Sequence, residues 1–172
     1  HYGTPANVFS MKGPYNVAGS MTVPSNNVHA NLPKGCVSCH MGSLSTNPAV
    51  GGHSFLMTAP QMSEVQDCKG CHSDPTFFTS ATAFPKMKEN ATNLALYRRL
   101  LIDKGLLDTS QAITADGYQI LGEYLKTKTK YTKADMEVAL NYLYLAKDRS
   151  MGAHNPTYVY ALIKNGIEYL QK

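Results

Sequence analysis

Two pentapeptides carry every cysteine of the chain: Cys36-Val37-Ser38-Cys39-His40 and Cys68-Lys69-Gly70-Cys71-His72. Cys-x-x-Cys-His is the spacing at which c-type haem is attached. Two thiols about one helical turn apart reach the two vinyl groups of one porphyrin edge, and the next histidine sits beneath the iron as its proximal ligand. The pattern therefore predicts two covalently attached haem c groups, held by Cys36, Cys39, Cys68 and Cys71, with His40 and His72 on the irons. Two other chemistries use paired thiols. A disulfide redox pair asks for a strand, the Cys-x-x-Cys and then a helix, and has no use for a histidine in both copies. A single zinc site from all four cysteines has acceptable spacing and is the serious competitor, but it leaves both histidines unexplained.

Each iron has a second axial position. His1, His29, His53 and His154 remain to fill them. His53 lies in Gly51-Gly52-His53-Ser54-Phe55, where paired glycines allow a backbone to approach a porphyrin closely. His154 lies in Gly152-Ala153-His154-Asn155-Pro156, where a rigid helix start aims the imidazole. These two are the expected distal ligands, and His29, seven residues before Cys36, is a further candidate on a haem of its own chain or of a neighbouring copy. Methionine is the competing ligand type, with Met41, Met57, Met62 and Met151 near the motifs, but packing is the commoner use of that side chain.

The elements that must position these groups divide the chain by composition. Eight of nine Pro and eight of thirteen Gly precede residue 91, whereas thirteen of sixteen Leu follow it. The reading is a mainly α protein, one compact domain overall. A loop-rich arm and dihaem-binding region over 1–90 packs on a helical bundle of about four helices over 91–172. Within 1–90, only short helical turns are expected around the haem motifs. The first bundle helix runs near 91–104, stops at Gly105, and places Leu94, Tyr97, Leu100 and Leu101 on one face. A second, capped by Thr109 or Ser110, carries Ile113, Ile120, Leu121, Tyr124 and Leu125. A third starts at Thr132, with Asp135 three positions on, and shows Met136, Ala139, Leu140 and Leu143. The last opens at Asn155-Pro156, a cap followed by proline at the first helical position, with the stripe Val159, Leu162, Ile163, Ile167 and Leu170.

Length and charge exclude other classes. No apolar run among the 172 residues reaches the length of a transmembrane helix, and 43% hydrophobic residues suffice for a modest core. The formal charge of +4 does not point to nucleic acid, because two haems add roughly four propionate charges and ferric iron returns about two. Lys126, Lys128, Lys130 and Lys133 read as a solvated loop or a docking patch for an acidic partner. With no cysteine left for disulfides, the haems would be the staples, and the chain without haem should fold poorly. Haem thioethers are made outside the cytoplasmic membrane, so the chain is expected to be exported, periplasmic or at the cell surface, with a leader already removed before His1.

Cys36-Val37-Ser38-Cys39-His40-Met41 followed by Gly52-His53-Ser54-Phe55, and His154-Asn155-Pro156-Thr157-Tyr158 in a helical C-terminal region, resemble the multihaem c-type cytochromes of the cytochrome c3 and nitrite-reductase-related superfamily. The resemblance covers roughly 28–72 and 140–170. It implies that the His-Ser-Phe and His-Asn-Pro histidines are distal ligands and that bis-His haems stack closely. It does not imply nitrite reduction, since the chain has no Cys-x-x-Cys-Lys catalytic haem motif.

The function expected is electron transfer by closed, low-potential haems, exchanged with other cytochromes or redox proteins. The alternative is a haem enzyme or gas sensor with one open position for small nitrogen or oxygen species. A third expectation concerns assembly. Surplus histidines, and a Gly- and Pro-rich arm that something must hold, suggest a homo-oligomer or filament in which haems of successive copies form a conduit.

Overall fold

The computed structural model describes residues 3–43, 57, 59–74, 77, 85–108, 124–125 and 130–172, and is mainly helical. In chain order it contains α1 (Thr4–Phe9), a short 3-10 helix (Val28–Asn31), α2 (Cys36–His40), α3 (Ala59–Glu64), α4 (Gln66–Lys69) and α5 (Pro85–Asp103). Strands β1 (Leu107–Asp108) and β2 (Tyr124–Leu125) follow, then helices α6 (Lys133–Asp148) and α7 (Pro156–Leu170). No helix among the described residues is long and apolar enough to cross a membrane. The chain forms two compact units, one from His1–Val28 with Lys86–Lys172 and one from His29–Pro85. The arm read with the haem region thus folds with the helices.

In the helical unit the caps form as the residue types dictate. Thr132 Oγ1 accepts the Asp135 amide at 3.0 Å, and Asn155 Oδ1 accepts the Tyr158 amide at 3.3 Å with Pro156 next in line. Each satisfies an amide that the first helical turn leaves without a partner. The expected α7 stripe is buried along its whole length, and on α5 Leu94, Tyr97 and Leu101 are buried with Leu100 half-buried. α5 begins six residues earlier than expected, at Pro85, and stops before Gly105, whose φ of 65° ends the helix.

Tyr97 is the centre of this core. It is fully buried, donates its hydroxyl to the Val138 carbonyl at 2.7 Å, and lies tilted against Tyr142 with ring centroids 5.7 Å apart. Burial pushes its phenol well above the usual range. Gly166 on α7 makes room for it, because a Cβ there would overlap the Tyr97 ring.

Two helical expectations are corrected. On α6 only Ala139 of the expected stripe is buried; the buried face runs Val138, Asn141, Tyr142, Leu145 and Asp148. The reason is a second covering layer, since α1 and the arm behind it also pack on α6. The expected second bundle helix lies mostly outside the described residues. Its last two members, Tyr124 and Leu125, form a strand pair instead, antiparallel to Asp108 and Leu107. That pairing gives their backbone groups partners that a helix pattern in sequence does not reveal.

Buried asparagines hold the arm. Asn141 accepts the Tyr15 amide and donates to the Tyr15 carbonyl, both at 2.7 Å. Asn165 accepts the Met21 amide at 3.0 Å and donates to the carbonyls of Val17 at 3.1 Å and Met21 at 2.9 Å. Glu168 accepts both the amide, at 2.7 Å, and the hydroxyl of Ser20. Val8 and Val17 add apolar anchors to the core. The arm is therefore held by bonds within its own chain.

Candidate haem-attachment site

Both haem pentapeptides lie in the unit His29–Pro85. α2 covers the first in full, so Cys36, Cys39 and His40 stand at positions i, i+3 and i+4 of one helical turn and share a face. Ser38, on the other side, is fully buried, and its hydroxyl accepts the Lys34 amide at 3.3 Å. The second pentapeptide starts in α4. The amides of Cys71 and His72 both donate to the Cys68 carbonyl, at 3.3 and 2.9 Å, which carries the helical turn through to the histidine. Each motif thus presents two thiols and an imidazole over one turn.

The roots of the two motifs are joined. The Gln66 amide, opening α4, donates to the Ser43 carbonyl at 3.2 Å, just beyond the end of α2. Gly42 is buried where a Cβ would overlap both the Ser38 carbonyl and fully buried Val65. The consequence reaches the chemistry, for Cys39 and Cys68 come within hydrogen-bonding reach of one another. That contact pushes the Cys68 thiol up, aided by burial and by the negative charge that Cys39, Asp67 and Cys71 can carry.

His40 and His72 are half-buried. His72 stacks on Phe77 with ring centroids 4.1 Å apart and planes 11° apart. Its pKa is lowered, first by burial and second by the nearby His29. Both effects favour the neutral imidazole, the form that binds a metal. His29, on the 3-10 helix, belongs to the same unit and is near enough to act on the charge of His72. His53 lies outside the described residues. His154 belongs to the helical unit, in the α6–α7 connection, with Nδ1 at 2.6 Å from Asp148 Oδ1.

The donor set fits haem c. No disulfide joins the four cysteines; Cys36 and Cys71 are exposed, and Cys39 and Cys68 are half-buried. Among the described residues no three His, Cys, Asp or Glu groups converge as a tetrahedral zinc would require. Of the contacts around the candidate ligands, the reading of the sequence overlooked Phe77 and Asp148. Phe77 carried no spacing signal. Asp148 did carry one, as an acidic residue where basic ones are favoured at a helix end.

Residues 22–92, less than half of the chain, match the family model of cytochrome c7 and related cytochrome c. No curated protein and no solved structure matches the chain. The matched stretch includes both pentapeptides and the 3-10 helix with His29. Over that segment the chain is similar to the multihaem c-type cytochromes, a family of covalent haem c proteins that transfer electrons.

Proposed function

We propose that the chain is an exported electron carrier with two haem c groups, each iron closed by two imidazoles. The observation that carries this reading is the joining of the two attachment turns at Ser43 and Gln66, with Cys39 beside Cys68. Thioether sites so close together suit electron hopping between two cofactors without an intervening partner. Haem, when bound, supplies a one-electron ferric–ferrous couple. Cys36 with Cys39 and Cys68 with Cys71 would tether the groups, and His40 and His72 would ligate from the proximal side.

Three histidines compete for two distal positions. His29 is favoured opposite His72, because it lies close enough to disfavour the charged form of that imidazole. His154 is favoured as the other, because a carboxylate fixes its ring. His53 is the alternative for either. Two histidines for each haem would leave no open position for small ligands, and as stronger donors to ferric iron than a thioether they would hold the potentials low. Haem attachment outside the cytoplasmic membrane supports a periplasmic or cell-surface location, with other redox proteins as partners. The spare imidazole supports a homo-oligomer or filament in which one histidine reaches a neighbouring copy's haem, an arrangement read by sedimentation velocity.

The test is low-temperature electron paramagnetic resonance of the ferric holoprotein, with optical spectra of the reduced form before and after carbon monoxide. Two low-spin haems blind to the gas are expected. His29→Ala and His154→Ala should each open one haem, and His53→Ala should leave both closed. A parent protein with a high-spin, gas-binding haem would overturn the closed-carrier reading in favour of an enzyme or sensor.

A further inference from the structure

The α6–α7 connection around His154 is built at a cost that helix stability does not explain. Asp148, the last residue of α6, has a side chain only 2% exposed. A buried carboxylate is expensive, and at a helix C-terminus it also faces the negative end of the dipole. Beyond it Arg149 and Met151 both take left-handed conformations, at φ of 58° and 49°, which ordinary side chains adopt only under constraint. Asn90 and Asn155, both buried, border the same turn and leave Oδ1 and Nδ2 respectively without a partner.

These costs converge on one side chain. Asp148 Oδ1 lies 2.6 Å from His154 Nδ1, and Asp148 Oδ2 accepts the Ser150 hydroxyl. The Ser150 oxygen in turn accepts the amides of Gly152 at 3.2 Å and His154 at 3.4 Å. Asn27 donates to the His154 carbonyl at 2.9 Å. Ring and backbone of His154 are thus fixed together.

We propose that Asp148 is a positioning residue for His154, holding the imidazole in the tautomer with hydrogen on Nδ1 so that Nε2 is the nitrogen offered to a haem iron. The inference rests on the reading of His154 as an axial ligand. A carboxylate on the far ring nitrogen orients such a ligand and makes it a stronger donor.

Three variants of the holoprotein, Asp148→Ala, Asp148→Asn and His154→Ala, are compared by ferric electron paramagnetic resonance, redox titration and carbon monoxide binding. Asp148→Ala should raise the gas-reactive haem fraction by about tenfold or more, in line with the usual loss when such a partner is removed. Asp148→Asn preserves shape and one acceptor oxygen. It should keep the haem low-spin while shifting its g-values and raising its potential, which a carboxylate of purely structural role would leave unmoved. If Asp148→Ala fails to fold, Asp148→Asn decides alone. If His154→Ala opens no haem, the ligand reading fails and takes this inference with it. If His154→Ala opens a haem while Asp148→Asn keeps the parent's g-values and potential, the ligand reading stands and the positioning role is refuted.

Discussion

Replacing Asn141 by Ala should release the N-terminal arm at Tyr15. The side chain is fully buried and makes two 2.7 Å hydrogen bonds to the Tyr15 backbone. Each is worth about 1 kcal/mol net, and leaving the part-buried Tyr15 amide without its partner brings the loss to roughly 2–3 kcal/mol. At about 1.4 kcal/mol per decade, local opening around Tyr15 should become some 30- to 150-fold more frequent. Hydrogen exchange of the holoprotein reads this directly. The Val17 amide, bonded to the Tyr15 carbonyl at 3.0 Å, should be exposed in the same opening. Asn165→Ala, which removes three hydrogen bonds, should act on Val17–Met21 in the same way. Exchange at Tyr15 within threefold of the parent would refute the clasp. So would arm exchange in the parent that slows as protein concentration rises, since that would mean a neighbouring copy holds the arm after all.

Gly42→Val should drive a side chain into the Ser38 carbonyl and Val65, at about 1–3 kcal/mol, and part the two haem motifs; the haem-to-protein ratio by the pyridine haemochrome assay should fall below the parent's. Cys68→Ser with Cys71→Ser should halve that ratio, and retention of the parent's value would overturn the attachment assignment. Glu168 is held below its ordinary carboxylate pKa of 4.5 by the Ser20 hydroxyl and amide. A depressed folded-state pKa stabilises fully above the unfolded value and is lost as pH falls through the folded one. The Ser20 amide chemical shift should therefore be flat from pH 5 to 8 and move below about 4.5, with no such step in Glu168→Gln.

The haem motifs and the caps at Thr132 and Asn155 were legible because each is a local device, complete within five residues. α7 was equally plain, since one face meets the core and the other does not. α6 was misread for the opposite reason. Its Asn141 adds nothing to an apolar stripe, yet it is buried because the backbone of Tyr15, 126 positions away, supplies both partners. The early start of α5 hid behind Lys86, Lys88 and Glu89, which break apolar periodicity while Pro85 opens the helix. Tyr124 and Leu125 carried a helical spacing that long-range pairing with β1 overrode. Asp148 escaped notice because it meets His154 through a left-handed turn, at a separation of six that no helical period supplies. The proximal site was thus written in consecutive residues, whereas the support of His154 exists only after the turn has closed.

The helical unit is made of two chain segments with the haem-bearing stretch threaded between them, and this bears on the order of events during synthesis. The arm appears first, yet the hydrogen bonds that seat it reach residues 126 to 148 positions later. Contacts of such span are slow to form, because the intervening chain must be closed into a loop before they repay the entropy. Until α7 has been made, the arm lacks Asn165 and Glu168, and the helical unit cannot be completed. All four thiols have been synthesised well before that closure. The nesting therefore provides an interval in which both attachment motifs are present on a chain whose helical unit is still open, and it makes the last fifteen-residue helix the step that ends it.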